Sequence, residues 1–233
     1  MNEFFRFPHM PHLSWLGAGS PREDKVLSLL EAQLLLTGPV IVEEKLDGAN
    51  LGFSIGLDGA LRVQNRGQFL RPPYSGQFSR LTTWIEAHRE TLVQALGTNL
   101  ILFGEWCAAR HSLDYVNLPD WFLAFDVYDT SVAQFWSTAR RNLLAESGSI
   151  SIVPALLKGE TSLSSLKLLL TKQHSRFRNG SLEGIIVRRE SVDWLEARAK
   201  LVHPDFTQHI NEHWSRRSIE WNRVPQCEIC HSS

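Results

Sequence analysis

The sequence predicts an α+β domain with mainly antiparallel sheets flanked by helices. Three observations carry that reading. Short apolar runs of strand length recur through the middle and the last third of the chain. Two of them, 50-NLGFSIG-56 and 61-LRVQNRG-67, are joined by a Leu57-Asp58-Gly59 turn and read together as a hairpin. Helical patterns lie between the strands, with few of the strict alternations that a parallel β-α-β sheet requires.

The elements follow in order. The first twenty residues, rich in Pro, His and aromatics, form no obvious element. Ser20 as a cap, Pro21 in the first turn and the acids Glu23 and Asp24 open a helix over 24–36 that ends at Gly38-Pro39. A strand at 40–46 leads into the hairpin. The loop 72-PPYSG-76 precedes a helix over 79–96, and strands at 100–106 and 121–129 flank a polar loop. Helices are expected at about 137–147 and 162–174, strands at 184–189 and 197–202, and a last helix at 205–218. No repeat or linker interrupts the chain, so one domain over 1–220 is expected, with 221–233 as a short, disordered tail.

Composition narrows the partners. Basic residues number 24 and acidic ones 25, so an anionic partner must be met by a local patch. Three cysteines make no disulfide framework and suit a reducing compartment. No apolar run approaches the roughly 18 residues needed to span a bilayer, and the N-terminus lacks an apolar signal core. No membrane partner is expected. The expected location is the cytoplasm, or the nucleus in a eukaryotic source.

Charge in or beside an apolar strand is costly unless it is paired or used. Five places have it: Lys45 in EKLDGAN, Arg66 in QNRGQF, Glu105 in LFGEW, Glu183 in LEGIIVR, and Arg198 with Lys200 in ARAKLV. Singly, each has a bland reading as a solvated turn or the wet face of an edge strand, and Phe125 in FLAFDVYD reads as core. Lys45 raises the sharper question. A lysine is a nucleophile only when neutral, and a free one titrates at about 10.4. Burial, cationic neighbours or a metal-bound phosphate would favour the neutral amine. Glu43, Glu44 and Asp47 oppose it, so they need other occupations.

Taken in order, EKLDGAN, NRGQF, FGEW, FLAFDVYD, EGIIVR and RAKL resemble the motifs of the covalent nucleotidyltransferase superfamily: ATP-dependent RNA and DNA ligases and mRNA capping enzymes. The resemblance runs from roughly residue 40 to residue 203. Within the superfamily the chain is similar to the ATP-dependent RNA ligases that seal nicks in duplex RNA. The residues that carry this are Asn50 two positions past Gly48, the GEW…FDVYD segment, and 200-KLVHPDFTQHINEHW-214.

The resemblance implies a nucleotidyltransferase (ATP-grasp-like) domain with ATP as co-substrate and Mg2+ or Mn2+ as the cation. It implies that Lys45 becomes covalently joined to AMP and that Glu44 faces the adenine edge with its carboxylate or its backbone. Asp47 and Gly48 would close the turn that aims the lysine, within the nucleotide-binding set. Glu105 would accept from the ribose hydroxyls, Phe125 would stack on the adenine, and Arg66 would contact ribose or phosphate. Glu183 would bind or orient the metal, and Lys200 and Arg198 would act on the phosphates. Asn50 would serve the nucleic-acid substrate. The motif that ends in Lys200 usually carries two lysines, and Arg198 stands in place of the first.

The implied partner is RNA with 5′-phosphate and 3′-hydroxyl ends. Only residues 201–233 follow Lys200, which leaves no room for a separate C-terminal oligonucleotide-binding domain. A minimal ligase, or one helped by a partner protein or module, is therefore expected. A DNA ligase core, a capping guanylyltransferase and a non-catalytic nucleotide- or nucleic-acid-binding module stay open. So do three smaller features. The stretch 209–224, with Arg216, Arg217, Arg223, Trp214 and Trp221, is either a basic-aromatic surface or a helix packed back on the domain. The string Cys227-x-x-Cys230-His231 is either a reduced tail or half a metal site. His111 is at the site mouth, in a surface loop, or in the core.

Overall fold

The computed structural model describes residues 4–19, 21, 25–208 and 218–225. In chain order the first elements are α1 (Leu29–Leu35), β1 (Val40–Lys45), β2 (Ala49–Ile55), β3 (Leu61–Gln64), β4 (Phe69–Leu70), α2 (Leu81–Leu96) and β5 (Leu100–Trp106). Then come β6 (Phe122–Asp129), β7 (Gln134–Phe135), α3 (Thr138–Ser147), β8 (Ala155–Gly159), α4 (Leu163–Lys172), β9 (Gly184–Glu190), β10 (Leu195–Val202) and α5 (Pro204–Gln208). The strands make two antiparallel sheets, one in the order β10-β9-β1-β8 and the other β4-β3-β2-β5-β6-β7. The α+β expectation with antiparallel sheets holds.

The chain passes from the first sheet to the second through Leu46-Asp47-Gly48 alone, so Lys45 ends β1 at the seam between them. Register decides what faces that seam. Lys45 lies opposite Gly184, Glu43 opposite Ile186, Lys200 opposite Ile186, and Arg198 opposite Arg188. Because side chains alternate along a strand, Glu43, Lys45, Arg188, Arg198 and Lys200 share one face. Val42, Ile185, Val187, Ala199 and Leu201 share the other, buried against Leu35 of α1 and Leu166 and Leu170 of α4. The second sheet buries Leu51, Phe53, Leu102 and Phe122 against Leu81, Trp84 and Leu92 of α2. Each such side chain contributes about 1.5–3 kcal/mol. Apolar faces thus pack outward onto helices, and the charged face is left for the seam.

Several boundaries differ from expectation. The first helix starts at Leu29 rather than 24, because Ser28 and Glu31 form a reciprocal cap. Ser28 Oγ accepts the Glu31 N–H at 3.2 Å and Glu31 Oε2 accepts the Ser28 N–H at 2.7 Å. Residues just before it are drawn instead to the N-terminal segment, where the Lys25 carbonyl accepts the His12 N–H at 2.7 Å and the His12 carbonyl accepts the Leu27 N–H at 2.8 Å. Strands β4, β7 and β8 were not expected. The tail does not begin at 221: Trp221 pairs with Ala109, and Asn222 is buried. The Asn222 amide donates to the Cys107 carbonyl at 2.7 Å and accepts the Tyr115 N–H at 2.8 Å, satisfying backbone that a loop alone would leave bare. Trp214, Arg216, Arg217, Cys227, Cys230 and His231 lie outside the described residues. No helix among the described residues is long and apolar enough to cross a membrane.

Candidate active site

A cavity of about 620 Å³ opens at the seam. Of the residues expected from sequence, Glu44, Lys45, Gly48, Asn50, Arg66, Glu105, Phe125 and Lys200 line it. Asp47, Glu183 and Arg198 are not among its lining residues, although Glu183 bonds Lys45, which is. Phe7, Met10, Gln77, Phe78, Asp126 and Arg188 also line it and were not foreseen.

Lys45 Nζ donates to both oxygens of Glu183, at 2.6 and 2.8 Å, with the two side chains 25% and 14% exposed. Opposite Lys45, a Cβ on Gly184 would meet the Leu201 carbonyl oxygen at 2.7 Å, so only glycine lets the three strands close there. A Cβ on Gly48 would meet the Trp106 carbonyl oxygen at 2.5 Å, and the Gly48 N–H donates to Glu105 Oε1 at 3.0 Å. Burial by itself would lower the Lys45 pKa, but the charges of Glu183, Glu105 and Asp47 outweigh it and the pKa lies above the ordinary value. Burial pushes Glu183 up to about 8 against the pull of Lys45. Burial likewise pushes Glu105 up to about 7. In this arrangement Lys45 is an ammonium, and it becomes a nucleophile only when the carboxylate charge around it is drawn off.

The three acids beside Lys45 have other occupations. Glu43 pairs with Arg141 at 2.7 Å and Arg188 at 3.7 Å. The Glu44 side chain lies on the opposite sheet face, where its carboxylate accepts the Arg176 N–H at 3.3 Å. The Glu44 carboxylate is thus engaged on the far face of the sheet, and the Glu44 N–H donates to the Pro154 carbonyl at 2.9 Å. Asp47 Oδ2 accepts the N–H groups of Ser112 and Leu113 at 2.7 and 2.9 Å, and the Asp47 N–H goes to Tyr115 Oη at 2.9 Å. Asp47 therefore clamps the turn that aims Lys45 and does not touch the cavity, so its place among nucleotide ligands is corrected.

Arg198 sits beside the cavity and is not among its lining residues. It pairs with Asp126, and its guanidinium lies over the rings of Phe7 and Phe135 at 4.7 and 4.4 Å. A buried carboxylate and two aromatic faces together hold that cation in place. Lys200, two residues on, is the residue of that pair that lines the cavity.

Phe125 reaches the cavity through a β-bulge. The β5–β6 ladder pairs Phe103 with Asp126 and Gly104 with Ala124, leaving Phe125 as the extra residue. Phe125 and Asp126 consequently both line the cavity, while Ala124 and Val127 on either side are in the core. Arg141 Nη1 donates to the Phe125 carbonyl at 2.7 Å and Arg188 Nη1 at 3.4 Å, so the bulge's backbone is held by buried charge. Arg188 also bonds Asp126 at 2.8 Å and Glu190 at 2.7 Å. Neither Arg141 nor Arg188 was singled out from sequence. The available signal was Arg188 closing the apolar strand 184-GIIVR-188.

The remaining expected residues are placed as follows. Asn50 lies across from Glu105 in the ladder, and its Oδ1 is buried without a hydrogen-bond partner, an acceptor waiting for a donor. Arg66 is exposed on the β3–β4 turn, which Asn65 Oδ1 shapes by accepting the Gly67 and Gln68 N–H groups at 2.8 and 2.9 Å. His111 Nε2 is 2.8 Å from Oε1 of Gln77, which lines the cavity. No group of three or more His, Cys, Asp or Glu among the described residues forms a metal site. The carboxylates of Glu105 and Glu183 are hard oxygen donors, and they fit a cation that takes its other ligands from phosphate and water.

A model of the RNA ligase family matches residues 38–202. The chain belongs to the RNA ligase family. The match begins just before β1 and ends with β10, so both sheets of the RNA ligase fold and the whole Lys45–Glu183 seam lie within it. No curated protein matches the chain. Among solved structures it is similar to a lysine-to-alanine variant of Naegleria gruberi RNA ligase with ATP and manganese. That match has 22% identity and a TM-score of 0.59, over 73% of this chain and 51% of that one. An aspartate-to-alanine variant of the same ligase without ligand matches at 19% identity and a TM-score of 0.60, over 89% and 64%. The same ligase with pyrophosphate matches at 22% and 0.57, over 85% and 61%. These likenesses show a shared fold. The chain spans between 51% and 64% of the length of those RNA ligase chains.

Proposed function

We propose that this chain is an ATP-dependent RNA ligase acting in RNA repair, with Lys45 as the residue that carries AMP. The observation that carries the reading is Lys45 Nζ, held bidentately by Glu183 at the cavity seam, in a cavity that Phe125 also lines. The family membership supports it, and so does the Naegleria ligase, whose variant was solved with ATP and manganese.

Three group transfers follow from these residues. The neutral Lys45 amine attacks the α-phosphorus of ATP, an N–P bond forms, and the bond to the leaving pyrophosphate breaks. Glu183, 2.6 Å from Nζ, is in reach of the proton the amine gives up. An oxygen of an RNA 5′-phosphate then takes the AMP from Lys45, making a 5′–5′ pyrophosphate link. Last, a 3′-hydroxyl attacks that activated 5′-phosphate, the phosphodiester forms, and AMP leaves. Phe125 stacks on the base, Glu105 accepts from the ribose, Lys200 and Arg66 meet phosphate or ribose, and the unfilled Asn50 acceptor serves the RNA end. Positioning and charge neutralisation supply nearly all of the catalysis. A bound Mg2+ or Mn2+, held by Glu105 or Glu183, would withdraw negative charge from the phosphates. RNA with duplex nicks is the favoured substrate, held with help from a partner or further module, a reading supported by the greater length of the matched ligases.

The test is incubation with α-labelled ATP or GTP and either cation, scoring label kept on the denatured protein beside Lys45→Ala. ATP label that the variant abolishes is the expected result, and a panel of nicked RNA and DNA duplexes then identifies the substrate. Label from GTP alone moves the assignment to capping. No label, with no AMP already present in the intact mass, ends the enzyme reading.

A further inference from the structure

The segment around Phe7 lies outside residues 38–202 matched by the family, yet Phe7 and Met10 line the cavity. It meets the site at three points. On the second sheet, Gln64 Nε2 donates to the Phe5 carbonyl at 2.7 Å and the Phe5 ring stacks on Tyr128 at 3.8 Å. In the middle, Phe7 is 2% exposed and stands edge-on to Phe125, with ring centres 5.4 Å apart at 66°. On the first sheet, the Pro11 carbonyl accepts the Lys200 N–H at 2.9 Å and the Leu13 N–H donates to the Lys200 carbonyl at 2.7 Å.

Each contact has a mechanical consequence. A ring that stacks on a base must present one face at a fixed tilt, and an edge-on neighbour fixes that tilt. Lys200 lies on β10, an outer strand whose outward N–H and C=O would otherwise be unpaired. The segment pairs both groups of Lys200, running parallel to β10 at His12. One stretch of chain thus sets two site residues that come from different sheets.

We propose that residues 5–13 are a working part of the nucleotide site, with Phe7 the positioning residue for Phe125 and the Pro11–Leu13 backbone the positioning element for Lys200. This rests on the reading of Lys45 as the residue that takes AMP from ATP. The test follows lysyl-AMP formation by the full chain against ATP concentration, for wild type, Phe7→Ala, Phe7→Leu, Phe125→Ala and the Phe7→Ala/Phe125→Ala pair. Phe7→Ala is expected to raise half-saturating ATP about tenfold with a smaller change in maximal rate, an edge-on aromatic contact being of that order. Phe7→Leu falls between, and Phe7→Ala adds little once Phe125 is already alanine. A purely structural Phe7 would lower the folded fraction and the maximal label, leave half-saturation unchanged, and add fully in the Phe125→Ala background. That pattern overturns the proposal. Should circular dichroism find Phe7→Ala unfolded, Phe7→Leu decides by the same comparison. Absence of label from wild type overturns this proposal together with the ATP reading, whereas normal wild-type label with unshifted variants overturns this proposal alone.

Discussion

Two sets of ion pairs stand on the seam side of the first sheet, and they are built differently. Lys45 and Glu183 meet one to one, with side chains 25% and 14% exposed. Glu43, Asp126 and Glu190 meet Arg141, Arg188 and Arg198 in a closed cluster whose side chains are between 1% and 9% exposed. A lysine can give up its proton and swing to a new partner. A guanidinium cannot be deprotonated, and its planar fork locks to carboxylates and carbonyls. The first pair is one that a substrate can take apart. The second holds β1, β6, β9, β10 and α3 in place around it. Buried charge at a site is therefore of two kinds, and the side chain's ability to let go distinguishes them.

The largest expected effect tests the first pair. Lys45→Ala should abolish lysyl-AMP while leaving the urea unfolding free energy within about 1 kcal/mol of wild type, because burial favours the neutral form of Glu183 and the carboxylate can take up a proton once Lys45 is gone. Arg188→Met should do the reverse and unfold more easily by about 3–5 kcal/mol, since Asp126 and Glu43 are left buried without that partner. If Arg188→Met matched wild type in urea and Lys45→Ala collapsed, the division between the two sets would be wrong.

Next in size is the base platform held by the arginines. Phe125→Ala should raise the ATP concentration for half-maximal labelling by roughly 5–150-fold, the equivalent of about 1–3 kcal/mol of stacking. Titration of labelling against ATP measures it, and an unchanged midpoint would remove Phe125 from the nucleotide site.

The last effect concerns pH. The folded pKa of Glu105, about 7, lies above its ordinary 4.5, so the native state holds a proton that the unfolded chain has already lost. Wild-type stability should therefore fall between pH 4.5 and 7 by up to about 3 kcal/mol from this group. Glu105→Gln removes that slope. Its Tm advantage over wild type should be small at pH 4.5 and largest above pH 7. Parallel Tm curves for the two proteins would mean that Glu105 titrates as an ordinary carboxylate.

Much of this was readable in the sequence, for a reason that also marks where reading stopped. Strands and motifs written in contiguous residues, such as EKLDGAN, FGEW and EGIIVR, were placed within a residue or two. The demand that Glu43, Glu44 and Asp47 find other partners was also met, but the partners Arg141, Arg188, Arg176 and Ser112 sit far along the chain and nothing local points to them. The burial of Arg198 against Asp126 was not legible, because alternation says which face a residue shares and not how deep in the sheet it lies. The N-terminal segment was opaque because its pairing partner, Lys200, is almost the whole domain away. The first helix begins later than its Ser20-Pro21 signal because Ser28 and Glu31 form the cap.

The extra residue in β6 has a consequence for how the protein can vary. Substitution at any one position between Ala124 and Val127 leaves the count intact, so a point-mutation scan would record Phe125 and the buried Asp126 as sensitive side chains and would not see the extra residue itself. Deletion is different. Removing one residue from this stretch would restore a regular pleat against β5 and give the better ladder, while turning either the Phe125 ring or the Asp126 carboxylate into the apolar layer. A library of single-residue deletions should therefore find proteins here that are both inert and less stable, because Asp126 and the Phe125 carbonyl leave the buried arginines that hold them. In this strand, length shapes the site as much as any side chain.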